Sequence, residues 1–190
     1  MKKRKKQDTS PSFSRHIGQL NESLLHSGIK KAIALPGDQF EVEVEGYIVD
    51  IVRKKLLIEV QTGNFHGIKK KLTALTKTRR VRLVYPIPVE KWIVTLDESG
   101  ETVARRRKSP RRGTCVDLFR ELVRIPALIT LSRFELELLL IIMEEIRCAD
   151  GKGSWRRKGV SIVERRLLGI EKRILLLKPG DFRQFIPENA

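Results

Sequence analysis

Several residue types and motifs are scarce or missing in this chain of 190 residues, and each gap excludes a class of protein. The two cysteines, Cys115 and Cys148, have no metal-ligand spacing and cannot form a disulfide framework, so we expect a reducing, cytoplasmic setting. No run reaches the ~18 apolar residues of a membrane span, and no apolar segment follows the basic N-terminus, so we expect no secretory signal. Phosphate-cradling Gly-Lys-Ser/Thr loops and serine or cysteine nucleophile motifs are missing, which leaves nucleotide hydrolysis and acyl transfer without support.

Positive charge, by contrast, is in excess. Lys and Arg number 39 and Asp and Glu 23, which gives a formal net charge of +16. This favours a nucleic-acid partner, because each basic group that meets a phosphate releases a condensed counterion. A charged surface that serves solubility or heat stability is the alternative. No basic amphipathic helix with exposed aromatics is visible, so we expect no membrane partner. Clustering favours contact patches, and we assign nucleic-acid binding to Lys69, Lys70, Lys71, Arg105, Arg106, Arg107, Arg111, Arg112, Arg156, Arg157 and Lys158.

The apolar pattern of the N-terminal half predicts an α+β (α/β layered) domain at residues 16–104, after a disordered basic arm at residues 1–15. Helical spacing predicts one helix within 18–35 and a second, with a lysine-rich face, around 68–77. Alternating or β-branched residues predict strands at 40–45, 47–52, 56–61, 81–85, 92–96 and 101–104. Pro86 and Pro88 are expected to end the strand at 81–85.

The C-terminal half is predicted to be mainly helical. Residues 105–113 have the composition of a basic linker, and residues 115–128 and 134–148 have helical patterns. With the basic turn at 155–158, residues 114–190 would form a winged-helix-like accessory region that contacts phosphates. The alternative is a helical extension that packs on the sheet or forms the interface of a homodimer.

The hairpin at 47–61 carries the candidate chemistry. If Lys54 and Lys55 form its turn, Asp50 lies directly opposite Glu59, and Gln61 shares their face of the sheet. Opposed carboxylates repel each other unless a cation compensates, and Mg²⁺ or Mn²⁺ is a suitable one. The alternative is a solvated sheet edge, or a one-residue register shift that separates the two acids.

In motif and in element order, the stretch 16–96 resembles the PD-(D/E)xK nuclease superfamily, which includes archaeal Holliday-junction resolvases and many restriction endonucleases. The resemblance implies a restriction-endonuclease-like core, metal ligation by Asp50 and Glu59, and an assisting acid at Glu22. Its usual catalytic lysine is replaced here by Gln61, which can orient water but brings no charge. A lysine of the group 69–71 on the following helix would then supply the missing cation.

The resemblance therefore implies a metal-dependent endonuclease that acts on DNA, most simply on double-stranded DNA, with Mg²⁺ or Mn²⁺ as cofactor. Two alternatives stay open. One is a catalytically inactive protein of nuclease fold that binds nucleic acid, marked by Gln61. The other is a structural or toxin–antitoxin-type protein whose charge serves a protein or RNA partner.

Overall fold

A computed structural model describes residues 23–185, in which one mixed sheet of seven strands is flanked by helices. The helices are α1 (Leu24–Ile33), α2 (Phe65–Leu75) and the single turn α3 (Phe119–Leu122). The strands are β1 (Gln39–Val44), β2 (Tyr47–Arg53), β3 (Leu56–Val60), β4 (Arg80–Leu96), β5 (Val103–Lys108), β6 (Phe134–Cys148) and β7 (Ser161–Leu176). The predicted α+β class is confirmed.

The sheet has the order β1-β2-β3-β4-β6-β7, and β5 pairs with the second half of β4. The pairs β3–β4 and β4–β6 are parallel, and the other pairs are antiparallel. The N-terminal half therefore follows the predicted order of helix, three strands, helix and further strands. The structure adds that the first three strands are antiparallel and that β4 runs parallel to β3. The predicted hairpin turn is also confirmed, because Arg53 pairs with Leu56 across Lys54 and Lys55.

Helices α1 and α2 cover opposite faces of this sheet. The α1 face holds a core cluster in which Leu25, Ile29 and Ile33 of the helix pack against Ile58 and Ile141 of the strands. The spacing of four between the three helical residues places them on one stripe. The other face, the α2 face, holds Phe65, Leu72 and Leu75 of α2 against alternate strand residues such as Leu83 and Leu136. Strand residues alternate between the two clusters because successive side chains leave a strand on opposite sides.

The C-terminal half departs from its predicted helical structure. Residues 134–148 form β6, not a helix, and residues 161–176 form β7, so the winged-helix prediction is wrong. The predicted linker is wrong at residues 105–108, which belong to β5. Of the predicted helix at 115–128, only short turns remain, at Cys115–Leu118 and in α3.

Pro86 and Pro88 lie inside β4 and do not end it. They fall after Val84, where pairing with β3 stops, and before Trp92, where pairing with β5 begins. The carbonyl oxygen of Val84 faces β3 and accepts a hydrogen bond from the amide of Gln61. The backbone of every second residue faces the same side of a strand, so the backbone nitrogens of Pro86 and Pro88 also face that side. At Pro86 and Pro88 this side of β4 has no partner strand, so the missing N–H groups cost no hydrogen bond. The pairing of β4 with β6 on its other side continues past both prolines.

Two further predictions concern residues that the structure does not describe. The predicted arm at 1–15 and the candidate acid Glu22 lie outside the described range. Within residues 23–185, none of the helices has both the length and the apolar character needed to cross a membrane.

Candidate functional site

The candidate acids Asp50 and Glu59 lie where β2 and β3 stop pairing. The ladder holds as far as Ile51 and Ile58. In the next row, side chains replace the main-chain bonds: the Val60 amide donates to Asp50 Oδ2 at 2.8 Å, and the Asp50 amide donates to Glu59 Oε1 at 3.3 Å. The two acids are therefore adjacent and tied to each other's strand.

The carboxylate of Asp50 faces α1. His26 Nε2 lies 3.2 Å from Asp50 Oδ2 and 2.8 Å from the Val60 carbonyl oxygen, and Lys30 Nζ lies 3.9 Å from Asp50 Oδ1. Burial raises the pKa of Asp50, but the bonds from His26 and the Val60 amide outweigh it, and the pKa lies below its ordinary value. Asp50 is therefore ionised at neutral pH.

The carboxylate of Glu59 faces α2. Lys71 Nζ lies 2.6 Å from Glu59 Oε2 and also donates to the carbonyl oxygen of Ile48. Burial and then the nearby charge of Asp50 raise the pKa of Glu59, and Lys71 only partly offsets them. The carboxyl group of Glu59 therefore loses its proton less readily than an ordinary glutamate.

The expected common face of Asp50, Glu59 and Gln61 is not formed. Val49 packs in the core cluster on the α2 face, and Ile51 packs in the cluster on the α1 face. Residues two apart on a regular strand share a face, so the alternation of side chains along β2 is interrupted at Asp50. On the neighbouring strand β1, Glu41 has a φ of 53°, which is a left-handed conformation and marks the same irregular row. The two acids consequently approach from different sides of the sheet. Among the residues that the structure describes, there is no group of three or more His, Cys, Asp or Glu side chains placed to share a metal ion.

The side chain of Gln61 turns away from the acids. Its Nε2 donates to the carbonyl oxygen of Gly63, two residues further along the chain. In this position the amide does not contact either carboxylate.

Sequence reasoning assigned no functional role to His26 or Lys30, which the structure places beside Asp50. The signal was their spacing of four, which places both on one side of α1 at the level of Asp50. Lys71 was among the predicted basic residues, and the structure places it on Glu59, while Lys69 and Lys70 point outward.

The other predicted basic residues lie in three places. Arg105, Arg106 and Arg107 are on β5, and Arg111 and Arg112 are exposed in the following loop. Arg156, Arg157 and Lys158 are exposed in the turn between β6 and β7, next to Trp155, whose side chain is 84% exposed. The structure therefore leaves most of the predicted contact residues accessible.

Comparison with known proteins identifies relatives but no activity. The chain is 33% identical over 169 residues to an "Uncharacterized protein" of Treponema pallidum (strain Nichols). The aligned segment covers 88% of this chain and 67% of that protein. No solved structure matches the chain. A family model described as "Domain of unknown function (DUF8091)" matches residues 23–177, and the chain therefore belongs to that family.

Proposed function

We propose that this protein is a metal-dependent endonuclease-like protein that hydrolyses phosphodiester bonds of DNA. Two largely buried acids, Asp50 and Glu59, lie side by side at the row where β2 and β3 stop pairing, and Lys71 contacts Glu59 there; this arrangement carries the proposal. Buried groups with strongly coupled charges are typical of sites that do chemistry.

The element order of the N-terminal half supports the proposed relationship to the PD-(D/E)xK nucleases. The resemblance rests on the order helix, strand, the two strands that carry Asp50 and Glu59, and a basic helix, and the structure has this order. Gln61 stands where these nucleases usually have a catalytic lysine. Lys71 of α2, which contacts Glu59, would supply the missing positive charge.

The donors at this row suit Mg²⁺ or Mn²⁺. The carboxylates of Asp50 and Glu59 are hard oxygen donors, the kind of ligand that these ions prefer. Because Asp50 faces α1 and Glu59 faces α2, one of the two carboxylates would have to turn toward the other to share a divalent ion. An ion held in this way would lower the pKa of a water molecule and neutralise charge on the phosphate.

The chain's own groups would orient the site. His26 holds the Asp50 carboxylate through Oδ2, and Lys71 holds Glu59 and would offer its charge to a phosphate oxygen. In the hydrolysis, the water oxygen bonds to phosphorus, the bond from phosphorus to the leaving oxygen breaks, and the leaving oxygen takes up a proton. Gln61 would contribute only after it leaves its bond to Gly63.

A second candidate is a protein of nuclease fold that binds nucleic acid without cutting it. The orientation of Gln61 toward Gly63 favours this alternative, and so does the basic partner that each acid already has.

Cleavage assays with the full chain separate the two candidates. Supercoiled, linear and branched DNA are incubated with Mg²⁺ or Mn²⁺, or with a chelator. We expect metal-dependent cleavage that falls by roughly 100-fold in Asp50→Asn and in Glu59→Gln, since even loss of a second-shell partner at a metal site costs ~10–100-fold.

The matched control is Glu98→Gln, which removes the same charge from an exposed acid in the turn after β4. It should cleave like the unmodified protein. DNA binding that depends on salt, with no metal-dependent cleavage, would instead establish the second candidate.

A further inference from the structure

The geometry points to one face of the sheet extension as the surface that holds a DNA duplex, an inference that rests on the proposed function. The extension, called here the arm, consists of β5 with residues 90–96 of β4, 142–148 of β6 and 161–167 of β7. The face of the arm that continues the α1 face of the sheet is called the α1-side face.

Strand pairing identifies the residues of this face. Ile93 of β4 pairs with Arg107 on one side and Glu145 on the other, and Glu145 pairs with Arg165. Since directly paired residues point to the same face, these four form one row across the arm.

Adjacent rows add three more basic residues. Thr95 pairs with Arg105 and with Arg147 in the row toward the tip. Lys91 pairs with Met143 in the row toward α1, and Met143 belongs to the core cluster beneath that helix. The α1-side face thus continues without a break from the core of the domain.

The described residues of this face have an unbalanced charge. Its basic residues are Lys91, Arg105, Arg107, Arg147 and Arg165, and its acid is Glu145. Glu145 is buried and already bonded to Arg147 at 2.6 Å and to Arg165 at 3.0 Å. Arg105 and Arg107 are exposed and form no ion pair with another described residue. Such unneutralised cations are suited to phosphate contacts.

The opposite face of the arm is balanced. Arg106 bonds to Glu144 and stacks on Trp92 at 4.1 Å, and Lys108 bonds to Glu90. On β7, Arg166 is likewise bonded to Glu164. The strand therefore divides the basic run at 105–108 between its two faces. Arg105 and Arg107 have no acidic partner among residues 23–185, whereas Arg106 and Lys108 are each paired with a glutamate.

The α1-side face also leads toward the candidate acids. A cleft of about 370 Å³ separates the arm from the start of α1 and the end of β3, and its walls include Ser23, Thr62, Lys91 and Arg165. His26, one turn further along α1, contacts Asp50. A nucleic acid on the face would therefore reach the side of the sheet that Asp50 faces.

Duplex DNA fits this surface better than a single strand. From β5 to β7 the face spans three strand spacings, roughly 14 Å, which is wide enough to lie across the phosphate backbone of a duplex. None of its named residues is aromatic, whereas single-strand binding relies on aromatic stacking. The surface offers contacts to phosphates and no platform for bases.

The test compares two pairs of neighbours on one strand. Arg105→Ala/Arg107→Ala and Arg106→Ala/Lys108→Ala remove the same charge from β5, on opposite faces. Binding of the full chain to a fluorescent duplex and to a single strand of equal length is measured across a salt series, with Mg²⁺ replaced by Ca²⁺ or chelator to prevent cleavage.

We expect the first pair to weaken duplex binding and to lower the slope of log affinity against log salt by roughly 2, about 0.9 for each lost contact. The second pair should keep the slope of the unmodified protein. Arg105→Lys/Arg107→Lys should restore binding, because phosphate contact needs the charge, and circular dichroism verifies the fold of each variant.

Three results are decisive. Equal weakening by both pairs, or none by the first, overturns the assignment of the face even if the protein cleaves DNA. Tighter binding of the single strand overturns the assignment to a duplex. Duplex binding with the expected difference between pairs, but without cleavage by the unmodified protein, supports the face and removes only the proposed hydrolysis.

Discussion

At the level of single residues, three acids with little exposed side chain each contact a different basic residue. Asp50 has His26, Glu59 has Lys71, and Asp38 has Arg53. The pKa values of Asp50 and Glu59 nevertheless move in opposite directions. Burial and the charge of Asp50 outweigh Lys71 at Glu59, whereas the bonds from His26 and the Val60 amide outweigh burial at Asp50.

Asp38 predicts an acid-sensitive contribution to stability. The hydrogen bond from Arg53 lowers the pKa of Asp38, and the Leu35 amide adds to the effect. A group with a lowered folded pKa stabilises the fold above its ordinary pKa of ~3.9 and loses that contribution as the pH falls through the folded value. Urea unfolding should therefore show a steeper loss of stability below about pH 4 in the unmodified protein than in Asp38→Asn. Equal pH dependence would contradict this account of the pair.

Lys71 predicts a contrast between neighbours on one helix. Lys71→Met should lower cleavage by about 100-fold, because preorganised charge at a reacting phosphate is worth ~10²–10³ in rate. Lys70→Met removes the same charge from an exposed position one residue away and should change the rate little. Similar losses in both variants would show that α2 contributes only general positive charge.

The site could be predicted only in part. The turn at Lys54 and Lys55 and the adjacency of Asp50 and Glu59 follow from the hairpin pattern. The interruption of the strand at Asp50 does not, and it coincides with the left-handed conformation of Glu41 in the same row of β1. That conformation is uncommon at a residue other than glycine, so the local sequence gives no reason to expect it.

At the level of elements, β6 shows why the C-terminal half was misread. Both faces of this strand are covered, so the alternation at residues 134–138 gives way to an unbroken apolar run from Leu138 to Met143 that is typical of a buried helix. Its glutamates Glu135 and Glu137 are buried too, paired with Arg82 of β4. The pairing that defines the strand lies far away in sequence, and local pattern does not report it.

Gly113 packs against the edge of β4 so closely that a larger residue should not fit there. The Gly113 amide donates to the Pro88 carbonyl at 2.8 Å, and a Cβ at residue 113 would lie 2.9 Å from Ile87 Cγ2. Gly113→Ala should therefore destabilise the protein by about 1–3 kcal/mol in urea unfolding, the usual cost of overpacking. Gly169→Ala on β7, where a Cβ would meet nothing within 4 Å, is the matched control and should be neutral or slightly stabilising. A neutral Gly113→Ala would mean that the loop does not pack against β4 as described.

At the level of the whole molecule, one sheet runs through the boundary that composition placed at 105–113. β4 pairs with β3 from the N-terminal half and with β6 from the C-terminal half, so neither half has a complete core alone. The arm that results also separates charge into a basic face and a balanced face, which a count of charges along the chain cannot show.

This continuity predicts a single cooperative unfolding transition. Trp92 reports on the arm, and in Trp155→Phe it is the sole tryptophan, since the chain has two. Its fluorescence and the far-ultraviolet circular dichroism should give the same urea midpoint, because coincident transitions are the mark of two-state unfolding. Two separated midpoints would indicate independent N- and C-terminal domains.

The most direct measurement of the central proposal is Mn²⁺ binding to the full chain, followed by electron paramagnetic resonance of the free ion. The unmodified protein is predicted to bind one Mn²⁺, and Asp50→Asn/Glu59→Gln to bind it at least tenfold more weakly, with Glu98→Gln unchanged. If the double variant binds Mn²⁺ as tightly as the unmodified protein, Asp50 and Glu59 do not form a metal site and the proposed hydrolysis has no basis.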